Sequence, residues 1–411
     1  MLSTSETPTT GRIRVLVVAP FTHQNGHFVT FPRDVCCGLA AAGCEVTLVH
    51  ARPFRTELDW FGQQVSRICL KDLVNRSPRW WQEVWARLAD WPSSQCLGWL
   101  LWKMRAGDHD LVLWTDFQSQ TNLWPLTILR RLRLYRFPTA FFEHHPPFNE
   151  EQTPRRGLLA WLDTERLRLG GLTMILLSKA HRDIWRARLG AGPRLEYLPY
   201  GVWPSALNEA DRCAARLALG IPAETRVLLV FGVQAVKRKH LDTLHAALSG
   251  LVPSQPLMVL FTGRSVGDEA HCFAGWQNPN IEVRLDNSFV SDALAASHFA
   301  AADVVWTHYR DFPGASGVLL QCMGYGRIAI TASDGEIGRL CQKHGLGLVV
   351  NEPTSAAIRD ALATLIELPS TRQAAWETDI AATAQHFAWP GLLRRLMAQL
   401  NMAPRDGVTA P

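Results

Sequence analysis

Short apolar runs punctuate this chain at 12–19, 44–50, 111–114, 138–142, 172–177, 226–231, 257–261, 281–285, 304–307 and 328–330. They are built mostly of Val, Leu, Ile and Phe with little polar alternation, the pattern of strands buried on both faces of a parallel sheet. Between them lie amphipathic segments: one ending near Gly43, one over 158–169, and one beginning at Ser178. Others cover 209–219, 241–248, a stretch opened by Phe289-Val290-Ser291 that reaches His298, and a final one from Phe387-Ala388-Trp389 to about Leu400. Strand, loop, helix and strand in repeated order predict an α/β protein with Rossmann-like parallel sheets. With 411 residues, two such domains are expected. The turn Leu198-Pro199-Tyr200-Gly201-Val202 is the natural place to divide them.

The most informative stretch is 306–332, WTHYRDFPGASGVLLQCMGYGRIAITA. A strand ends there, and a loop of small residues runs from Asp311 to Gly317. Val318, Leu319, Leu320, Met323 and Tyr325 then have helical spacing, Gly326 stops the helix, and a second strand follows. A small-residue loop that enters a helix presents free N–H groups and the positive end of the helix dipole. Gly314, Ala315, Ser316 and Gly317 therefore form a candidate phosphate cradle. Upstream, Gly232 ends another strand and Lys237-Arg238-Lys239-His240 precedes the helix at 241–248. That run has the position and charge to hold phosphate, though three cations in a row also describe a solvated face. At the end of the 138–142 strand stand Glu143, His144 and His145, where open α/β sheets bind ligands; a structural Pro-rich turn is the alternative. Asp108-His109-Asp110 directly precedes a strand and reads as a turn, not as a metal-binding pair of carboxylates.

Charge and composition narrow the classes. The net charge is +5, and the first 200 residues hold an excess of roughly seven positive charges while the rest is slightly acidic. Within the basic half, Trp80, Trp81, Trp85, Trp91, Trp99 and Trp102 sit among Lys71, Arg76, Arg79, Arg87, Lys103 and Arg105, followed by Arg130, Arg131, Arg133 and Arg136. This segment either packs the first domain or lies on an anionic membrane surface beside a lipid-like acceptor. No apolar run approaches the ~20 residues needed to cross a bilayer. Residues 1–11 are polar, without an apolar leader core, and are read with 403–411 as tails. The nine cysteines form no CxxC pair and suggest a reducing cytoplasm. There is no GxGxxG for a dinucleotide, and nothing asks for nucleic acid.

Taken together, Gly232, Lys239, Gly314 to Gly317, Met323, Gly326, the Pro199-Tyr200-Gly201-Val202 turn and the tail Asp334-Gly335-Glu336 with Gly345-Leu346-Gly347 resemble retaining GT-B glycosyltransferases, particularly glycosyltransferase family 4. The resemblance implies two Rossmann-like domains facing across a cleft, with a C-terminal helix crossing back to the first. The expected divisions are 12–202 for the acceptor domain, 203–386 for the donor domain and 387–402 for the crossover helix. It further implies a hexosyltransferase-like enzyme, for which the cysteine usage and the basic, tryptophan-rich segment predict a cytoplasmic location, peripheral to the membrane. Such an enzyme moves a sugar from a nucleoside-diphosphate sugar to a glycan or lipid-linked acceptor, without metal or other cofactor. By the same resemblance His144 or His145 would contact the donor sugar and Lys239 the diphosphate, with Lys237 and Arg238 nearby. Gly232, Val290, Asp311 and Gln321 would complete the donor site, and Gly26 with His27 would face the acceptor, unless His27 merely begins a helix. The chain departs from the family at three places. The family's two acidic residues fall on Pro313 and Gln321, and its arginine after the glycine falls on Val233. Gln321 can accept a hydrogen bond but carries no charge. These departures keep open a catalytically weakened protein that binds nucleotide sugar or a partner, and a nucleotide-sugar epimerase.

Overall fold

The computed structural model describes residues 11–19, 27–50, 64–69, 109–115, 132–144 except 134 and 136, 172–205 except 191, 207–264, 272–287 except 274, 290–312, 314 and 316–402. The chain divides into two compact units, one reaching Pro199 and resuming at Trp389, the other running from Tyr200 to Ala388.

The first unit holds strands β1 (Arg14–Ala19), β2 (Glu45–His50), β3 (Val65–Cys69), β4 (Leu111–Trp114), β5 (Thr139–Glu143), β6 (Thr173–Leu176) and β7 (Arg194–Tyr197), with helices α1 (His27–Ala41) and α2 (Lys179–Leu189). All seven strands pair in parallel, in the order β3-β2-β1-β4-β5-β6-β7. The apolar runs identified in the sequence form its centre: β4 and β5 are buried at every position. The edge strands β3 and β7 are half exposed and carry polar residues, so their sequences lack a continuous apolar run. Asp110 is structural, its carboxylate accepting the Arg14 N–H at 2.8 Å where β1 begins.

The second unit holds α3 (Glu209–Ala218), β8 (Arg226–Phe231), α4 (Leu241–Ser249), β9 (Leu257–Thr262), β10 (Ile281–Asp286), α5 (Asp292–Ala301), β11 (Val304–Thr307), α6 (Gly317–Gly324), β12 (Ile328–Ala332), α7 (Gly335–His344), β13 (Gly347–Val350), α8 (Ser355–Ile366) and α9 (Ser370–His386). Its sheet is also parallel, in the order β10-β9-β8-β11-β12-β13. Strand order reverses between β8 and β11. The loops leaving those two strands therefore open a crevice at the sheet's carboxyl edge, the place where doubly wound sheets bind ligands.

The last helix, α10 (Trp389–Gln399), belongs to the first unit and packs on α1. Trp389, Leu392, Leu393 and Leu396 are its buried face. The approach is close because Gly38 has no side chain: a Cβ there would lie 2.7 Å from Leu393 Cδ1 and 2.9 Å from Trp389 Cβ. Gly38→Val is expected to cost about 1–3 kcal/mol by overpacking. A drop in melting temperature with an unchanged second unit in limited proteolysis would show it.

Among the described residues, no helix is long and apolar enough to cross a membrane.

Candidate anion site at the switch point of the second sheet

Lys239 is the centre of the site. It ends the loop between β8 and α4, is 4% exposed, and its ammonium donates to the Phe231 carbonyl at the end of β8. Among the described residues no carboxylate meets it. Burial, then the neighbouring Arg238 charge, pushes its pKa down to about 7. A buried ammonium is tolerated when an anion compensates it. Here the described residues supply only a carbonyl.

The loop after β8 is shaped to bring this ammonium to the start of α6. Gly232 has φ +83, and a Cβ on it would sit 3.9 Å from Lys239 Nζ and 3.6 Å from Val318 Cγ2 in the first turn of α6. Gly263, φ +130, backs against it so closely that a Cβ would be 2.4 Å from the Gly232 carbonyl oxygen. Backbone bonds lock the pair: the Gly232 N–H donates to Thr262 O at 2.8 Å and the Gln234 N–H to Arg264 O at 2.9 Å. Glycine is required where backbones approach this closely at positive φ.

The loop after β11 forms the other side. Ser316 caps α6, its hydroxyl accepting the Val318 and Leu319 N–H groups at 3.2 and 3.4 Å. Two first-turn amides just beyond the candidate cradle are thus satisfied within the helix, and the Ser316 hydroxyl is committed to them. Among the described residues the Gly317 N–H, at an exposed first position, meets no acceptor and keeps the dipole end accessible. Gly314 is buried nearby, and Asp311, exposed, takes the left-handed φ of +49.

The other sequence candidates fall as follows. Lys237 is exposed, and so is Arg238, whose guanidinium lies over the rings of Phe312 and Tyr309 at 4.9 and 5.7 Å. The Arg310 N–H donates to Arg238 O at 2.8 Å, so Arg238 clasps the two loops together. Val290 is half-buried just before the cap of α5, and Gln321 is exposed on α6. His144 belongs to the first unit: its Nε2–H donates to Thr115 O at 2.8 Å and its ring meets Phe31 edge-on at 4.5 Å. Adjacent Glu143 is 4% exposed. His145, Gly26, Pro313, Ala315, the side chain of His27, the tryptophan-rich segment and Arg130, Arg131 and Arg136 lie outside the described residues.

Sequence reasoning passed over three residues here. His240 follows Lys239 with φ +49, in the left-handed region. His308, at the end of β11, is 1% exposed, and Arg310 lays its guanidinium 3.3–3.4 Å from the His240 ring nitrogens. The only signal for them was the unusual density of basic residues in both loops.

Two parallel sheets of this order, each with its reversal point and the terminal helix returned to the first unit, define a GT-B fold. Solved structures share it: Anabaena HepE in complex with UDP has a TM-score of 0.65 at 15% identity, over 95% of this chain and 100% of that one. Sucrose-phosphate synthase from Thermosynechococcus elongatus has a TM-score of 0.61 at 16% identity, over 95% of this chain and 98% of that one. At these identities the likeness concerns the fold. In sequence, D-inositol 3-phosphate glycosyltransferase of Kineococcus radiotolerans is 28% identical over 246 residues, 53% of this chain and 54% of that protein, so the match spans about half the relative's length. No protein-family model matches the chain.

Proposed function

We propose that this protein is a glycosyltransferase that moves a sugar, with retention and without a metal, from a nucleoside-diphosphate sugar to an acceptor. The observation that carries the reading is the buried Lys239 ammonium, placed at the switch point beside Gly232 and the first turn of α6, with no carboxylate among the described residues to neutralise it. A departing nucleoside diphosphate develops charge on its outer phosphate, and aimed cations and N–H dipoles lower the barrier to that departure. Lys239 and the Gly317 amide would do this, His144 at the end of β5 would meet the donor sugar, and the acceptor would be held by the first unit through Gly26 and His27. The similarity to a D-inositol 3-phosphate glycosyltransferase supports the activity, and HepE, solved with UDP and with UDP-glucose, supports the donor class. Retention and a family 4-like mechanism rest on the sequence resemblance alone. A lipid-linked acceptor and a membrane-peripheral location rest on the basic, tryptophan-rich segment, and a cytoplasmic location on the cysteine usage.

A thermal-shift panel of UDP-, GDP-, ADP- and dTDP-sugars tests the reading. One base should raise the melting temperature, and product formed with the matching donor should keep the anomeric configuration by NMR. Stabilisation by none of the four would remove the proposal. The neutral, exposed Gln321 favours a second reading, a protein that binds nucleotide sugar without transferring it; stabilisation without product from any acceptor would select that one.

A further inference from the structure

His308 is the least explained polar group in the second unit. It leaves the end of β11 at the switch point and is 1% exposed, and among the described residues neither ring nitrogen has a hydrogen-bond partner. Its ring stacks on Trp306, centroids 5.3 Å apart and planes 16° apart. Trp306 in turn donates its indole N–H to the Lys239 carbonyl at 2.8 Å, so the imidazole sits on the residue that holds the Lys239 backbone. The edge of His240 covers it, centroids 4.8 Å apart, and the partly exposed Arg310 lies on His240. Trp306, His308, His240 and Arg310 thus form a column from the core to the mouth of the crevice.

Two features of this column are unfavourable for a purely structural element. An imidazole buried with both nitrogens unmatched loses hydration without replacement, and a phenylalanine would fill the same place without that loss. His240 adopts a left-handed backbone, which few non-glycine residues take up although histidine is among those that enter it most often. A rarely used backbone and unmatched polarity at one point of a fold are features that functional sites often show. Burial, then His240, holds the His308 pKa down at about 4, so the ring is neutral and offers one N–H and one lone pair. The chain also lacks a cation after Gly232, where Val233 is 53% exposed.

We propose that the Arg310–His240–His308 column is the second half of the diphosphate site beside Lys239, with Arg310 meeting the anion at the mouth and the His308 N–H donating to it once His240 is drawn aside. The inference rests on the donor reading above and assigns the site residues that this reading left out.

His308→Phe keeps the stack on Trp306 and removes both nitrogens. It should melt at the same temperature as the wild type or higher, while Kd for both UDP and inorganic pyrophosphate rises tenfold or more. In the wild type, the His308 side-chain ¹⁵N signals should shift on saturation with pyrophosphate. Binding by His308→Phe equal to wild type, or unmoved His308 signals, would overturn the proposal, and the spectroscopic arm decides even if the variant fails to fold. Weakening confined to UDP would place His308 on the nucleoside and overturn the diphosphate contact. If the wild type binds neither probe, the donor reading falls and this one with it. If Lys239→Ala loses both probes and His308→Phe loses neither, this one falls alone.

Discussion

Lys239→Met is expected to abolish useful turnover while making the empty protein more stable. The loss should be on the order of 10²–10³-fold in kcat, the usual effect of removing one aimed donor from a developing anion. The gain in stability follows from the protonation of the lysine. In the unfolded chain the ammonium keeps its proton up to about pH 10.5, whereas the fold releases it at about 7. Between those values the unfolded state binds more protons, so the stability of the unliganded wild type rises with pH from about 7 towards 10. Below pH 7 the fold carries a buried charge at a cost of several kcal/mol at most. Lys239→Met should flatten this dependence, which thermal melts from pH 6 to 9.5 would record. Ligand binding reverses the sign: a bound diphosphate restores the proton. At pH 8, calorimetry of UDP binding in Tris and in HEPES should reveal uptake of up to one proton per site. Absence of uptake would mean that the lysine is not the anion's partner.

The strands were readable in the chain because both faces of β1, β4, β5, β8, β9, β11 and β12 are buried, so burial writes itself as an unbroken apolar run. Edge strands β3 and β7 escaped because only one of their nine positions is fully buried, and Val65-Ser66-Arg67 or Arg194-Leu195-Glu196 carry no such run. Lys239 was legible as a cation between a strand and a helix. What distinguished it from Lys237 and Arg238 was not. All three are basic and adjacent, and only the fold buries the third while laying Arg238 on Phe312 and Tyr309. Ser316 shows the reverse case. As one of several small residues it reads as part of an open cradle, yet its hydroxyl closes on its own helix. His308 was illegible because a histidine after an apolar strand is commonplace, and its unmatched nitrogens exist only once Trp306 and His240 have closed on it.

The opposite end of β11 carries the largest expected effect on folding. Asp303, buried just before the strand, accepts from Arg212 Nη1 at 2.5 Å, Arg216 Nη2 at 2.7 Å, the Val227 N–H at 2.8 Å and Gln373 Nε2 at 3.0 Å. Glu377 takes Arg212 through both oxygens at 2.7 and 2.6 Å and Arg327 at 3.0 Å. Residues far apart in sequence are thus tied together, from α3, β8, the start of β11, the approach to β12, and α9. With Arg226 3.7 Å from Asp303, four arginines share two carboxylates, so removing either acid leaves buried guanidinium groups without compensation. Asp303→Asn keeps the shape and removes the charge, and it should cost about 3–5 kcal/mol, lowering the melting temperature by roughly 10 °C in a domain of this size. The surviving folded protein should still bind UDP with near wild-type affinity, because this network lies at the amino edge of the sheet and Lys239 at the carboxyl edge. One four-residue strand then separates two kinds of charge. At its start charge is paired and its loss should destabilise the unit, whereas beside its end the Lys239 ammonium meets no carboxylate among the described residues and its loss should stabilise the unit while silencing it. Asp303→Asn melts beside those of Lys239→Met would display the opposite signs directly, and equal signs would show that Lys239 is merely another member of the structural network.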